Sequence, residues 1–175
     1  ILAFFHPYSC RAVAIDAPKG IPLGMVYCCL EDHPTCACIP TGIRSCERLM
    51  FQEGISLYPV TKKSFAKAWI RRGLSLFSYF QQNKISAYEV FPTGSKRKLF
   101  PDTVFTSPKS RKATRILFQQ HLETVISSIP KVEDFLLSDH ELDAILAAYT
   151  IYLYLERRIG RLLGDPGEGE IVLPI

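Results

Sequence analysis

Asp16, Glu89 and Asp143 are the residues whose type and placement most suggest chemistry. Asp16 closes a short apolar run, Glu89 sits within a second such run, and Asp143 falls in the first turn of a long helical stretch. His140 precedes Asp143 by three residues, so both project from one face of that helix, with Asp139 just outside. Carboxylates gathered at the ends of strands, with one more from a helix start, suit a hard divalent cation. Mg²⁺ or Mn²⁺ takes a few carboxylates, keeps several waters, and leaves room for phosphate oxygens. Two such ions roughly 4 Å apart stabilise the attacking water and the leaving oxygen of a phosphodiester. On this reading Asp16, Glu89 and Asp143 are the candidate ligands, with His140 and Asp139 beside them as further catalytic candidates. Taken singly, the residues have plainer roles. Asp139 and Asp143 sit where a helix needs caps, and Asp16 opens a turn before Pro18.

Cysteine supplies a second constellation. Five of the six cysteines lie between Cys28 and Cys46, with His33 among them. Zinc asks for four ligands in a tetrahedron, often as cysteine pairs separated by two to four residues. Cys28, Cys36, Cys38 and Cys46 are one such set, with Cys29 or His33 as substitutes. The spacing departs from the common zinc-knuckle pattern, and buried free thiols or a disulfide account for the same residues. A cysteine–histidine nucleophile built from Cys46 and His140 requires the two to meet, which nothing in their spacing implies.

The net charge of +4 is a mild bias, compatible with an acidic partner. Its distribution says more, because Lys96, Arg97, Lys98, Lys109, Arg111, Lys112 and Arg115 fall within 20 residues. Such a cluster is either a solvated face or a track for phosphates. With 47% hydrophobic and 22% charged residues, the 175-residue chain has the composition of one globular domain with its own core. No apolar run is long enough to span a bilayer. No signal-peptide architecture opens the sequence, so the expected location is the cytoplasm.

These residues need a scaffold, and the pattern predicts one. Ala12–Ile15 reads as a buried strand ending at Asp16, and Ile85–Phe91 as a second strand closed by Pro92. A long excursion rich in proline, glycine and cysteine occupies positions 19–44. Helices are expected over Cys46–Glu53, loosely over Ser64–Gln82, strongly over Lys112–Ile129 and again over Glu141–Leu163, capped by Ser138 or Asp139. His121 lies on an apolar helical stripe and reads as a core histidine, and Trp69, Tyr79 and Tyr88 are either core aromatics or platforms for bases. Ile171–Leu173 is expected to be a terminal strand. Strands alternating with helices argue for an α/β domain.

Six segments, in order, carry a family resemblance: AVAIDAPKGIP (12–22), RSCERL (44–49), AYEVFPTG (87–94), PKSRKATRILFQQHL (108–122), SDHELDAILAAYTIY (138–152) and GEIVLP (169–174). Together they resemble a family of predicted RNase H-like nucleases known as domain of unknown function 429. The resemblance implies a ribonuclease H-like fold, a mixed sheet flanked by helices. It implies that Asp16 matches the catalytic position at the end of the fourth strand and Asp143 the one on the final helix. The spacing from His140 to Asp143 is similar to a variant in bacterial Holliday-junction resolvases, where a histidine replaces an acidic ligand. The family's first strand, with its own aspartate, would precede Ile1, so the expected fold is N-terminally truncated. A sheet edge left uncovered in this way favours a homodimer.

The functional expectation is a metal-dependent nuclease cleaving phosphodiester bonds. Lys109, Lys112 and Arg115 would neutralise phosphates, and Arg44 of the RSCERL segment would form an ion pair with Glu47 or contact substrate. The alternative is a catalytically incomplete module of the same fold that binds nucleic acid or a protein. A third acid brought in by Glu31 or Asp32 would favour the enzyme. Nucleotide binding of the actin-like kind lacks its glycine-rich phosphate loop.

Overall fold

A computed structural model describes residues 10–31, 36–40, 42–101 and 112–175. The described residues form a four-stranded mixed sheet with helices on both faces. The strands are β1 (Ala12–Ile15), β2 (Ser86–Val90), β3 (Arg161–Asp165) and β4 (Gly169–Leu173), arranged β1-β2-β4-β3. β1, β2 and β4 run parallel, and β3 returns antiparallel to β4. Parallel neighbours require helical crossovers, which is why the sequence alternates as it does. α1 (Ser45–Gln52) and α2 (Lys67–Gln82) lie between β1 and β2 in sequence, and α3 (Pro92–Leu99), α4 (Lys112–Val125) and α5 (Asp139–Tyr152) follow β2.

Alternation along the strands divides the core in two. Ala12, Ala14, Tyr88, Val90 and Val172 meet Ala147 and Ile151 of α5 on one face. On the other, Val13, Ile15 and Ala87 pack on Phe77 and Phe80 of α2, and Ile171 and Leu173 pack on Cys46 and Met50 of α1. α4 buries Phe118 and Leu122 against Leu142 and Leu146, forming a second layer behind α5. Arg11, entering β1, pairs with Glu156 beyond the C-terminal end of α5. α5 therefore runs antiparallel to β1 along the sheet.

Two glycines fix close approaches. A Cβ on Gly73 would lie 2.8 Å from the Ala17 Cβ and 2.9 Å from the Pro18 carbonyl oxygen, so α2 can seat the turn after β1 only through a glycine. A Cβ on Gly164, whose φ is +117°, would stand 2.6 Å from the Cys46 Cβ, where β3 meets the start of α1.

Several expected boundaries move. The helix expected to reach Leu163 ends in a π turn, Leu153–Arg157, followed by left-handed Arg158 (φ 58°) and Gly160 (φ 147°). Residues 161–165 instead form β3, because Leu162 and Leu163 pair with Val172 and Ile171 of β4. Helix α4 stops at Val125 rather than Ile129. There the Gln119 amide donates to the Pro130 and Phe135 carbonyls and accepts from Leu137 N–H, clamping the turn into α5. Pro92 does not merely close β2: it occupies the first turn of α3, where its missing N–H costs nothing. Ser138 caps α5 in a reciprocal capping box with Glu141, so Asp139 lies inside the first turn. His121 packs beside the Phe100 ring at 5.2 Å. Among the described residues no helix is long and apolar enough to cross a membrane.

Candidate functional site

Arg44 immediately precedes α1 and is buried with Glu47 and Glu89, at 2%, 0% and 4% exposure. Strand alternation turns Glu89 toward the α1 side of the sheet, opposite Tyr88 and Val90. Both guanidinium nitrogens reach it: Nη1 donates to Oε2 and Nη2 to Oε1, each at 2.8 Å. Arg44 Nε donates to Glu47 Oε1 at 2.9 Å, and the backbone N–H groups of Arg44 and Val60 also donate to Glu47. Lys19 N–H adds a third donor to Glu89 at 2.6 Å. Burial opposes the charge on Arg44, but the hydrogen bonds and attraction of Glu89 outweigh it and raise its pKa. Burial pushes Glu47 up despite the attraction of Arg44, and pushes the Cys46 thiol up to about 12.

A third buried carboxylate completes this anchor. Glu168, in the β3–β4 turn, accepts from Leu23 N–H at 2.8 Å and Ser45 N–H at 2.7 Å. Burial works to raise its pKa, yet the two backbone donors win and the net shift is downward. Together these bonds hold both ends of the 19–44 excursion to the sheet: Lys19 and Leu23 at one end, Arg44 and Ser45 at the other.

Above the clamp lies a cleft of about 250 Å³ at the C-terminal ends of β1 and β2. Asp16, Ala17 and Pro18 form one rim, Arg44, Glu47 and Glu89 the floor, and Tyr58, Phe65, Trp69 and Phe91 the walls. Tyr58 and Phe65 are 81% and 82% exposed and meet edge to face at 5.4 Å. The crevice beyond the carboxyl ends of parallel strands is where open α/β sheets place their ligands. Among the described residues, the charged side chains lining it are one guanidinium against three carboxylates, which makes the described lining acidic.

The sequence candidates separate. Asp16 is exposed at the cleft rim. His140 is exposed in the first turn of α5, and Asp143 is half-buried at the start of its second turn, one turn ahead of Ala147, which packs on Val90; neither lines the cleft. Glu89 is spent on Arg44 and Lys19, so it serves the scaffold instead of standing open beside Asp16. Arg44 is likewise enclosed in its ion pairs. Asp139 lies 3.7 Å from Arg115, an ion pair joining the starts of α4 and α5, and Lys112 is exposed nearby in sequence. Lys109, Asp32 and His33 lie outside the described residues, and Glu31 is exposed. Of the aromatic candidates, Trp69 lines the cleft, whereas Tyr88 packs on Tyr154 and Tyr79 on Phe80. Phe65 counts toward the loose helical spacing of 64–82, but the helix starts only at Lys67 and leaves Phe65 exposed before it, while Tyr58 carries no periodic signal.

The cysteines regroup. Cys28, Cys29 and Cys36 bring their sulfurs within 4.8 Å of one another, a group able to hold a metal. Cys38 joins them, with Cys36 Sγ 3.3 Å away and Cys29 at disulfide distance. Cys46 is not among them: it is fully buried in the core of α1, on the same stripe as Met50, and cannot meet His140 on the surface. A hydrogen bond from Cys28 lowers the pKa of Cys36, and the same contact raises that of Cys28.

Among the described residues no other three His, Cys, Asp or Glu ligand atoms gather so closely, so Asp16, His140 and Asp143 do not form a ready three-ligand cage. Comparison with family models, curated proteins and solved structures finds no match to this chain.

Proposed function

We propose that the chain is a metal-dependent nuclease of ribonuclease H-like type, acting on unstacked nucleotides at the acidic, aromatic-walled cleft. The observation that supports this reading is the placement of Asp16 on the rim of that cleft, just beyond the C-terminal end of β1. A phosphodiester entering a cleft with more carboxylates than cations meets repulsion unless a cation accompanies it. Mg²⁺ fits such a place because it needs only one or two carboxylates and keeps several waters. Asp16 and Asp143 would hold the ion, which supplies Lewis-acid activation of water and charge neutralisation of phosphate. His140, exposed one turn from Asp143, is placed to take or give a proton at its imidazole. Tyr58, Phe65 and Trp69 offer exposed ring faces for bases, each stack contributing about 1–3 kcal/mol. Lys112 and Arg115 would meet the flanking phosphates, with Lys109 as a further cation, and a homodimer through the outer edge of β1 would cover that strand.

A second reading has its own observation. Glu89 is fully engaged by Arg44 and Lys19, which removes one acid from the floor and leaves a module that binds nucleic acid without cutting it. The two readings part in one assay. Labelled single-stranded and branched oligonucleotides are incubated with the protein and with Asp16→Asn, in Mg²⁺, in Mn²⁺ and in chelator. The nuclease reading expects metal-dependent cleavage that Asp16→Asn abolishes and Trp69→Ala weakens. Retention of the oligonucleotides without cleavage in any metal would sink it and leave the binding module.

A further inference from the structure

We propose that Cys28, Cys29, Cys36 and Cys38 form a four-thiolate zinc site that pins the 19–44 excursion to the start of α2. The carrying observation is convergence. The Cys36 sulfur lies 2.9 Å from Cys28, 3.2 Å from Cys29 and 3.3 Å from Cys38, so one sulfur touches all three others. A disulfide joins sulfurs in pairs and gives no reason for two pairs to share one centre. A tetrahedral ion does, because every ligand neighbours the other three. The backbone spacing points the same way. The Cα atoms of Cys29 and Cys38 are 7.6 Å apart, whereas disulfides span about 4.4–6.8 Å. Two thiolates on zinc, with bonds of about 2.3 Å, stand roughly 3.8 Å apart and accept that wider separation.

The surroundings suit a structural ion. Zinc with four thiolates carries two negative charges, and the Lys62 ammonium sits at the cluster, donating to the Cys36 and Cys38 carbonyls at 2.9 Å each. Met25, Leu30, Val60 and Ile70 form an apolar wall behind the sulfurs. The 3-10 turn Tyr27–Leu30 presents Cys28 and Cys29, and the rest of the described excursion has little regular structure to hold it. Binding forms four Zn–S bonds and releases the thiol protons to solvent, with no change of oxidation state. The site also reaches the buried clamp: Val60 N–H bonds Glu47, and Lys62, two residues on, bonds the cysteine loop.

The test is elemental analysis of the untagged protein, purified without chelator, together with cobalt substitution. We expect about one zinc per chain in the wild type and in Cys10→Ser, and none in Cys28→Ser/Cys36→Ser. Replacing zinc by Co²⁺ should give the intense visible bands of tetrahedral cobalt thiolate, which reports on the wild type even where the double variant does not fold. Wild-type protein that, once reduced, takes up neither ion would overturn the proposal. So would zinc retained by a folded double variant, or a Cys29–Cys38 disulfide recovered from protein purified without air. Visible absorption by the native protein itself, marking iron in place of zinc, would overturn the choice of metal.

Discussion

Two regions of this molecule hold carboxylates, and they are built in opposite ways. Beneath the cleft, Glu47, Glu89 and Glu168 are buried, and each is met by a guanidinium or by backbone N–H groups. At the rim, Asp16 is exposed, while α5 carries exposed His140 in its first turn and half-buried Asp143 in its second. Burying a carboxylate is tolerable only when its lone pairs are satisfied, so the lower set is committed to holding the chain together. Asp16, by contrast, is exposed, as the proposed metal site requires. Acid residues in and around one cleft are thus not one constellation: burial and bonding set Glu47, Glu89 and Glu168 apart from exposed Asp16.

The sharpest way to break the comparison is to remove the cation from the lower set. Arg44→Met strands two buried carboxylates and should destabilise by about 3–5 kcal/mol, read from urea unfolding. A triple variant, Arg44→Met with Glu47→Leu and Glu89→Leu, should recover much of that loss, since charge-free cores of similar volume are tolerated. Next in size is Gly73→Ala, whose Cβ would push on Ala17 and on the Pro18 carbonyl. A loss of about 1–3 kcal/mol is expected, with weaker metal binding at Asp16, because the turn that carries it must shift.

Glu168→Gln should cost about 1–3 kcal/mol at neutral pH, since a neutral amide is the weaker acceptor for Leu23 and Ser45 N–H. The sign of its pH dependence follows from its lowered pKa. Its contribution is complete above the unfolded glutamate value of about 4.3 and is lost as pH falls through the folded value. Stability measured from pH 6 downward should therefore fall more steeply in the wild type than in Glu168→Gln. A parallel pair of curves would show that this carboxylate is not held as described. The smallest effect belongs to the rim. Asp16→Asn should change stability by ~1 kcal/mol or less in chemical denaturation, while changing metal binding most.

The same contrast explains what the sequence made legible. β1, β2 and the apolar stripes of α4 and α5 are local patterns, and each is found where its periodicity places it. β3 was hidden, because Arg161–Asp165 continues a helix-compatible run and only its pairing with β4 makes it a strand. α3 carried its signal in Pro92, a residue equally able to end a strand and to start a helix. At the site, the Arg44–Glu47 spacing signals a local pair, whereas the bond from Arg44 to Glu89 spans 45 residues and needs the fold. Glu168 reads as an ordinary turn residue until Leu23 and Ser45 are seen above it. Cys46 shares a helical stripe with Met50, a core pattern present in the sequence, while Cys29 joins the cluster through a 3-10 turn that no periodicity announces.

The proposed nuclease requires Asp16 and Asp143 to hold one divalent ion while the buried acids do not. Calorimetric titration of Mn²⁺ into the wild type, Asp16→Asn/Asp143→Asn and Glu168→Gln tests it most directly. The account predicts binding in the wild type and in Glu168→Gln, and its loss in the double variant with the fold intact. Equal binding in all three, or none in the wild type, would contradict it and make these aspartates turn and helix-start residues alone.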